Sequence, residues 1–227
     1  VPITPGLTGL GASSGLETFV NVSVSTGFGA SGFTGVWITI QDLTKHVASI
    51  EVHDDSGLIA TAFTQLASYA GAAFNLECWG TSIAGGLATT TGTFLKVNLD
   101  GGCIDAAATC SEWFGVAGLG VITQTNAASA NPSIAQVMQD ANNYLLAGFA
   151  SNGATTPTAG TGTLDRTIAS TGSNPIASSL VNNTAATAIS VTDSLTLSAR
   201  IWAAIGVELR SAVSTTHRGG LLTVGVG

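Results

Sequence analysis

A few short stretches of this sequence hold residue types and spacings that could do chemistry. Gly11-Ala12-Ser13-Ser14-Gly15 fits the GxSxG pattern of a serine nucleophile. That chemistry needs a buried strand before the serine and a helix after it, so that the hydroxyl stands exposed on a strained turn. Here Pro5, Gly6 and Gly9 precede it and an alternating, strand-like run follows, so Ser13 is read as an ordinary serine. Gly27-Phe28-Gly29-Ala30-Ser31-Gly32 fits GxGxxG. The residues after it are strand-like, which leaves no helix N-terminus to receive a pyrophosphate, so it is read as a turn. His53, Asp54 and Asp55 are weak candidates for a divalent cation, because a hard cation wants about six oxygens and usually several carboxylates. Two adjacent Asp in a turn more often serve the turn alone. His46 and His217 have no evident partners, and no two carboxylates stand out as an acid/base pair. The reading is non-enzymatic, with no cofactor. A glycosidase pair would show only where two carboxylates meet in a cleft.

The chain has three cysteines, Cys78, Cys103 and Cys110. Cys103 and Cys110 flank the small-residue segment IDAAAT and are expected to close a short disulfide loop. Cys78 with Cys103, or three free thiols, are the alternatives. No histidine stands at zinc-ligand spacing from them. Asn21-Val22-Ser23 and Asn182-Asn183-Thr184 are sequons, with Asn21 expected on the polar face of a strand and Asn182 in a loop. They are meaningful only in an exported protein whose host glycosylates. Trp37, Trp79 and Trp113, if exposed, would offer a sugar-stacking platform, although tryptophans in a β-sandwich more often pack.

The composition bounds the partners. Only 8% of residues are charged, 45% are apolar, and 29 are glycine. Such a chain does not carry the signature of disorder. A surface so poor in charge points to cover by neighbouring subunits or glycans, or to an exported protein with a Ser/Thr surface. The net charge of −7 with six scattered Lys and Arg argues against nucleic acid, which needs clustered cations. No apolar run reaches the ~20 residues of a membrane-spanning helix. With no signal peptide and no initiator Met, Val1 reads as a processed N-terminus, which fits export, and the lack of a long apolar N-terminal helix disfavours a type IV pilin.

The elements that would position these residues are strands. Ser190 to Arg210 alternates apolar and polar residues and is too long for one strand, so two are expected, with a break near Ser198 to Arg200. Thr18 to Thr26, Val36 to Gln41, Val47 to Val52, Leu58 to Leu66, Ala72 to Trp79, Thr91 to Leu99 and Glu112 to Gly118 read as further strands. Asp100-Gly101-Gly102 is expected to end one of them. Asn143 to Ala150 is nearly all apolar and reads as a strand buried on both faces. Thr123 to Asp140 is ambiguous, with Ile134, Val137 and Met138 compatible with a helical turn. Residues 151–164 and 170–175 read as loops. Many short strands at regular spacing predict an all-β fold, a single antiparallel β-sandwich. Its boundaries are residues 17–211. Residues 1–16, rich in Pro and Gly, are expected as an extended N-terminal arm and residues 212–227 as a C-terminal arm.

The order of several motifs carries a resemblance. Val47 to Val52 runs into an Asp-Gly turn at Asp54 to Gly57, and Trp79 to Val97 is a strand, a Gly-Gly and a Thr/Val strand. Glu112-Trp113-Phe114-Gly115-Val116, Asn143 to Gly148 and Trp202 to Glu208 follow. Together they resemble a recurrent jelly-roll-like β-sandwich module of secreted prokaryotic surface proteins and of virus and phage structural proteins. The resemblance implies a fold, over roughly residues 36–210, and no single activity.

Beyond the closing strand, Leu222, Val224 and Val226 alternate with Thr223 and Gly225. This reads as a strand for the open sheet edge of a neighbouring copy; an edge strand of its own domain is the plainer alternative. The expectation is therefore a self-assembling subunit of an extracellular filament or appendage at the cell surface, linked by terminal strand exchange. A capsid or virion-surface protein of the same fold and a carbohydrate-binding or adhesive module are the alternatives, with glycans as possible partners.

Overall fold

The computed structural model describes residues 2–24, 27–29, 32–61, 63–81, 93–153, 157–184, 190–196 and 199–212. The protein is an all-β, antiparallel sandwich, as its alternating runs predict. Its first sheet holds β1 (Thr4–Val24), β2 (Phe33–Ile40), β3 (Val47–Asp54), β4 (Gly57–Ala60), β5 (Phe63–Ala70), β6 (Asn75–Thr81) and β7 (Phe94–Phe114), in the order β4-β3-β7-β2-β6-β5 with β1 also on β7. The second holds β8 (Val116–Ser129), β10 (Tyr144–Asn152), β12 (Thr163–Ala169), β13 (Ile176–Thr184) and β15 (Arg200–Ser211), in the order β12-β13-β10-β15-β8. The third is small: β11 (Thr158–Ala159), β14 (Ser190–Thr196) and β9 (Ser133–Val137). Among the described residues no helix is long and apolar enough to cross a membrane.

The first sheet is organised by a two-stranded ribbon of β1 and β7, each 21 residues long. The ribbon bends where Gly15 and Leu16 take positive φ (91° and 64°) and the register shifts. Beyond the bend β1 returns over itself: a Cβ on Gly11 would collide with the backbone carbonyl of Asn21. That approach is open only to glycine. β3 lies along the first half of β7 and β2 along the second. A first core gathers Val20, Val22, Ile50 and Val97 from one half with Val36, Ile38, Ala106 and Cys110 from the other.

β2 and the second half of β7 are buried on both faces. Alternate residues of β2 and β7 enter the first core, while Phe33, Trp37, Ala107 and Trp113 enter a second core against Leu146, Ala150, Ala203, Ile205 and Val207 of the second sheet. The far face of that sheet packs Leu145, Phe149, Trp202 and Ala204 on Ile134, Val191 and Leu195 of the third.

Several local expectations change. Residues 4–16 are not a free arm: they pair with β7, and Pro5 sits at a register shift where its missing N–H costs no ladder bond. Asp100-Gly101-Gly102 does not end a strand, because β7 runs through it. The IDAAAT loop is strand, with Ala106, Ala107 and Ala108 fully buried in the middle layer. The helical turn expected near Ile134 is β9, whose exposure alternates strictly, Ile134 and Gln136 in and Val137 out. Within the 151–164 loop stands the two-residue β11. The buried strand near residue 145 and the pair β14 and β15 are found where they were expected.

Trp37 anchors the two large sheets. Its Nε1 donates to the Ile205 carbonyl at 3.0 Å, and its indole lies on Gly148, where a Cβ would collide with it. Gly148→Ala is expected to destabilise the fold by about 1–3 kcal/mol, the usual range for overpacking a filled core. The denaturant midpoint reports this, and an unchanged midpoint would contradict the packing described.

Candidate functional site

The residues singled out for chemistry are not brought together. Ser13 lies within the continuous β1, opposite Ala106, and no helix follows it. Gly29 donates its N–H to Glu112 Oε1 at 2.7 Å, and β2 begins at Phe33, so the glycine-rich stretch leads into a strand. Asp54 Oδ1 accepts the Ser56 N–H at 2.7 Å, which closes the β3–β4 turn, and Asp55 is exposed. Among the described residues no group of three or more His, Cys, Asp and Glu side chains forms a metal cluster. His46 does have a partner: its Nδ1 lies 2.9 Å from Glu77 Oε1.

The Cys103–Cys110 bridge is not formed. All three cysteines are free and buried. Cys103 and Cys110 stand seven residues apart on one strand, roughly 23 Å at the usual rise, whereas a disulfide needs Cα atoms within about 7 Å. Burial pushes the Cys110 thiol up to about 12 and the Cys78 thiol higher still. Asn21 is exposed on β1. Asn182 is not in a loop: it lies on β13, half-buried, and its Nδ2, the atom a glycan would need, donates to Asp165 Oδ1 at 2.5 Å. Trp37 and Trp113 are buried, and half-buried Trp79 donates Nε1 to Glu77 Oε2 at 2.8 Å, so they form no stacking platform. Leu222, Val224 and Val226 lie outside the described residues.

What sequence reading missed is a set of buried carboxylates. Glu208 accepts N–H groups of Val121 and Gln139 and the Asn143 side-chain amide at 2.6–2.9 Å. Asp105 accepts Gly172 and Asn174, Glu112 accepts Leu7 and Gly29, and Glu77 accepts the Val47 N–H, Gln65 and Trp79. These acids tie loops and bulges to strands. Asp193, also fully buried, has no partner for either oxygen. Burial, and then neighbouring Asp165, push its carboxyl up to about 8.

Two hollows remain. An open one of about 650 Å³ is lined by Gln41, Asn152, Ser173, Asn174 and Arg200 among others, with no Asp, Glu, His or Cys to move a proton. The other, about 310 Å³, lies between two sheet edges and is lined by Leu66, Ala67 and Ser68 of β5 and Ile122, Thr123 and Gln124 of β8. β5 ends the first sheet and β8 the second. From Ile122 to Ser129, β8 keeps unbroken register with β15 on one side, and among the described residues it has no strand on the other. The run ITQTNAAS carries no charge and no proline. Ile122 and Val121 are partly exposed there, and Val137 of neighbouring β9 is 66% exposed.

Comparison with protein-family models, curated proteins and solved structures finds no match.

Two outcomes follow. Without reductant, native protein should react negligibly with a thiol reagent, and guanidinium should release three thiols per chain; only one would restore the bridge. For Asp193, the raised carboxyl favours the folded state while it keeps its proton. That contribution is full below the unfolded value of about 4 and is lost as pH rises toward 8. In EDTA-containing buffer, stability should fall across this window, and Asp193→Asn should flatten the profile. An equal slope in both proteins would remove Asp193 as its source.

Proposed function

We propose that this protein is a structural, non-catalytic subunit of an extracellular filament or appendage, which assembles with copies of itself by accepting a terminal strand along the free edge of β8. The observation that carries this reading is the eight-residue edge Ile122–Ser129, regular, uncharged and without proline. Soluble β proteins usually blunt such edges with lysine, proline or a bulge. An added strand would gain main-chain hydrogen bonds from the edge and specificity from side-chain pockets, here the hollow beside Leu66 and Ile122.

The donor is the C-terminal segment 221–227, in whose sequence Leu222, Val224 and Val226 alternate with Thr223 and Gly225. The N-terminal residues, the other candidate, are already paired within their own chain. A low-charge surface suits close packing between copies. The same joint would serve a virion shell built on a jelly-roll-like module, and the symmetry of the particles distinguishes the two. Burial of Trp37 and Trp113 gives a carbohydrate-binding module less support.

Electron microscopy and size-exclusion chromatography test the proposal. The full chain should form regular polymers. Deletion of residues 219–227, or Ile122→Lys in the groove, should leave particles of 22.5 kDa or slightly less, with the β-rich circular dichroism retained. A synthetic peptide of residues 221–227 should bind the truncated protein and not the Ile122→Lys variant. Dispersed wild-type monomers, or unchanged polymers after the deletion, would sink the reading.

A further inference from the structure

Asp193 departs from the rule that the other buried acids obey. Glu77, Asp105, Glu112 and Glu208 each accept at least two N–H donors. Asp193 is 0% exposed, and neither of its oxygens has a hydrogen-bond partner. Asp165 Oδ2 is likewise buried and unpartnered, although Oδ1 takes the Asn182 amide. Asn182 links the two acids: its side-chain amide donates to Asp165 Oδ1, and its backbone oxygen shares the Gly162 turn with Asp193 Oδ1. The acids come from different sheets, Asp165 from β12 and Asp193 from β14.

The charge of Arg166 reaches Asp165 only through space, and among the described residues no cation pairs with either carboxylate directly. Arg166 turns its Nη1 to the Asp165 backbone carbonyl, 3.3 Å away, rather than to the carboxylate. A buried charge without a partner costs several kcal/mol, so proteins pair such groups, protonate them or give them a metal. One further oxygen stands beside Asp193, with the Val181 methyl next to it. A Cβ built on Gly162 would lie 2.5 Å from Asp193 Oδ1 and 2.9 Å from the Asn182 backbone oxygen, which places those two oxygens on one side of the same turn.

We propose that Asp165 and Asp193 hold a divalent cation, calcium by its all-oxygen donors, between the edge of the second sheet and the third sheet. The three unpartnered carboxylate oxygens are the primary ligands. The Asn182 carbonyl lies beside them, and water completes a shell of about six to eight oxygens. The two negative charges are neutralised by the ion. Sulfur and imidazole are absent from the donor set, which disfavours zinc and copper. This pair is separate from Asp54 and Asp55, the turn residues of the first sheet. The ion would pin β14 onto β12, where otherwise a buried acid pair weakens the join.

The test uses the full chain, freed of metal with EDTA and exchanged into chelator-free buffer at neutral pH. Calcium chloride is titrated by calorimetry and in thermal melts, with magnesium chloride in parallel. One saturable calcium site per chain is expected, with a rise of several degrees in the unfolding midpoint and a weaker response to magnesium. Asp193→Asn and Asp165→Asn should each reduce affinity at least tenfold while keeping a cooperative unfolding transition. The double variant Asp54→Asn, Asp55→Asn should bind as the wild type does. Absence of both binding heat and stabilisation in the wild type would overturn the site. So would equal binding by the wild type and the two pair variants, or loss of binding only in the Asp54/Asp55 variant.

Discussion

Main-chain hydrogen bonding across irregular strands is the constraint on which the rest of this structure depends. A layer buried on both faces cannot leave an N–H to water, so each bulge and each loop end needs an acceptor. Carboxylates supply it. Five of the thirteen acids are at most 2% exposed, and four of these gather backbone or side-chain N–H groups. Glu208 meets the N–H of Val121 close to where β8 and β15 lose register. Glu112 meets Leu7 inside the register shift between Pro5 and Thr8. A bond to a charged acceptor is worth more than a neutral one, roughly 1.5–3 kcal/mol, which favours an acid over an amide at such points.

The doubly buried layer also explains the side chains chosen. Between two packed cores there is room for three alanines in a row, Ala106 to Ala108, and the space they leave is filled by Trp37 and Trp113. Trp37 reaches across to the second sheet because Gly148 offers bare backbone. Threonine and serine stand where the layer meets polar atoms: Thr109 Oγ1 and Ser178 Oγ lie 3.0 Å apart, and Thr39 reaches the Ala177 carbonyl. Large and small residues interdigitate, as close packing requires.

The strands were largely legible because alternation reports a half-buried face, and Ser190 to Arg210 was read with its break in place. Doubly buried strands were harder. IDAAAT looks like a loop since its residues are small, yet small size reflects neighbours on both faces. The first sixteen residues looked irregular because proline and glycine argue against a ladder. The glycines are there for the fold of β1 over itself, a tertiary contact no local pattern contains. Of the candidate site, the alternating tail was visible as a sequence, but the edge that would receive it depends on sheet order. The buried acids left a usable signal: in a chain with 8% charged residues, an acid inside an apolar run, as in NLECWGT or GVELR, or on the apolar phase of an alternating strand, as Asp193 in SVTDSLT, is seldom there by accident.

The division of the chain between sheets has a temporal consequence. Every strand of the first sheet comes from residues 4–114, and every strand of the other two from residues 116–211. β1 has its partner, β7, about ninety residues later. During synthesis at roughly 5–20 residues per second, the N-terminal strand therefore waits several seconds unpaired. The first half then closes its inner core while Trp37 and Trp113 still face solvent. Such long-range pairing is slow and invites aggregation, so the nascent chain has reason to need a holding partner until the second half arrives to cover that face.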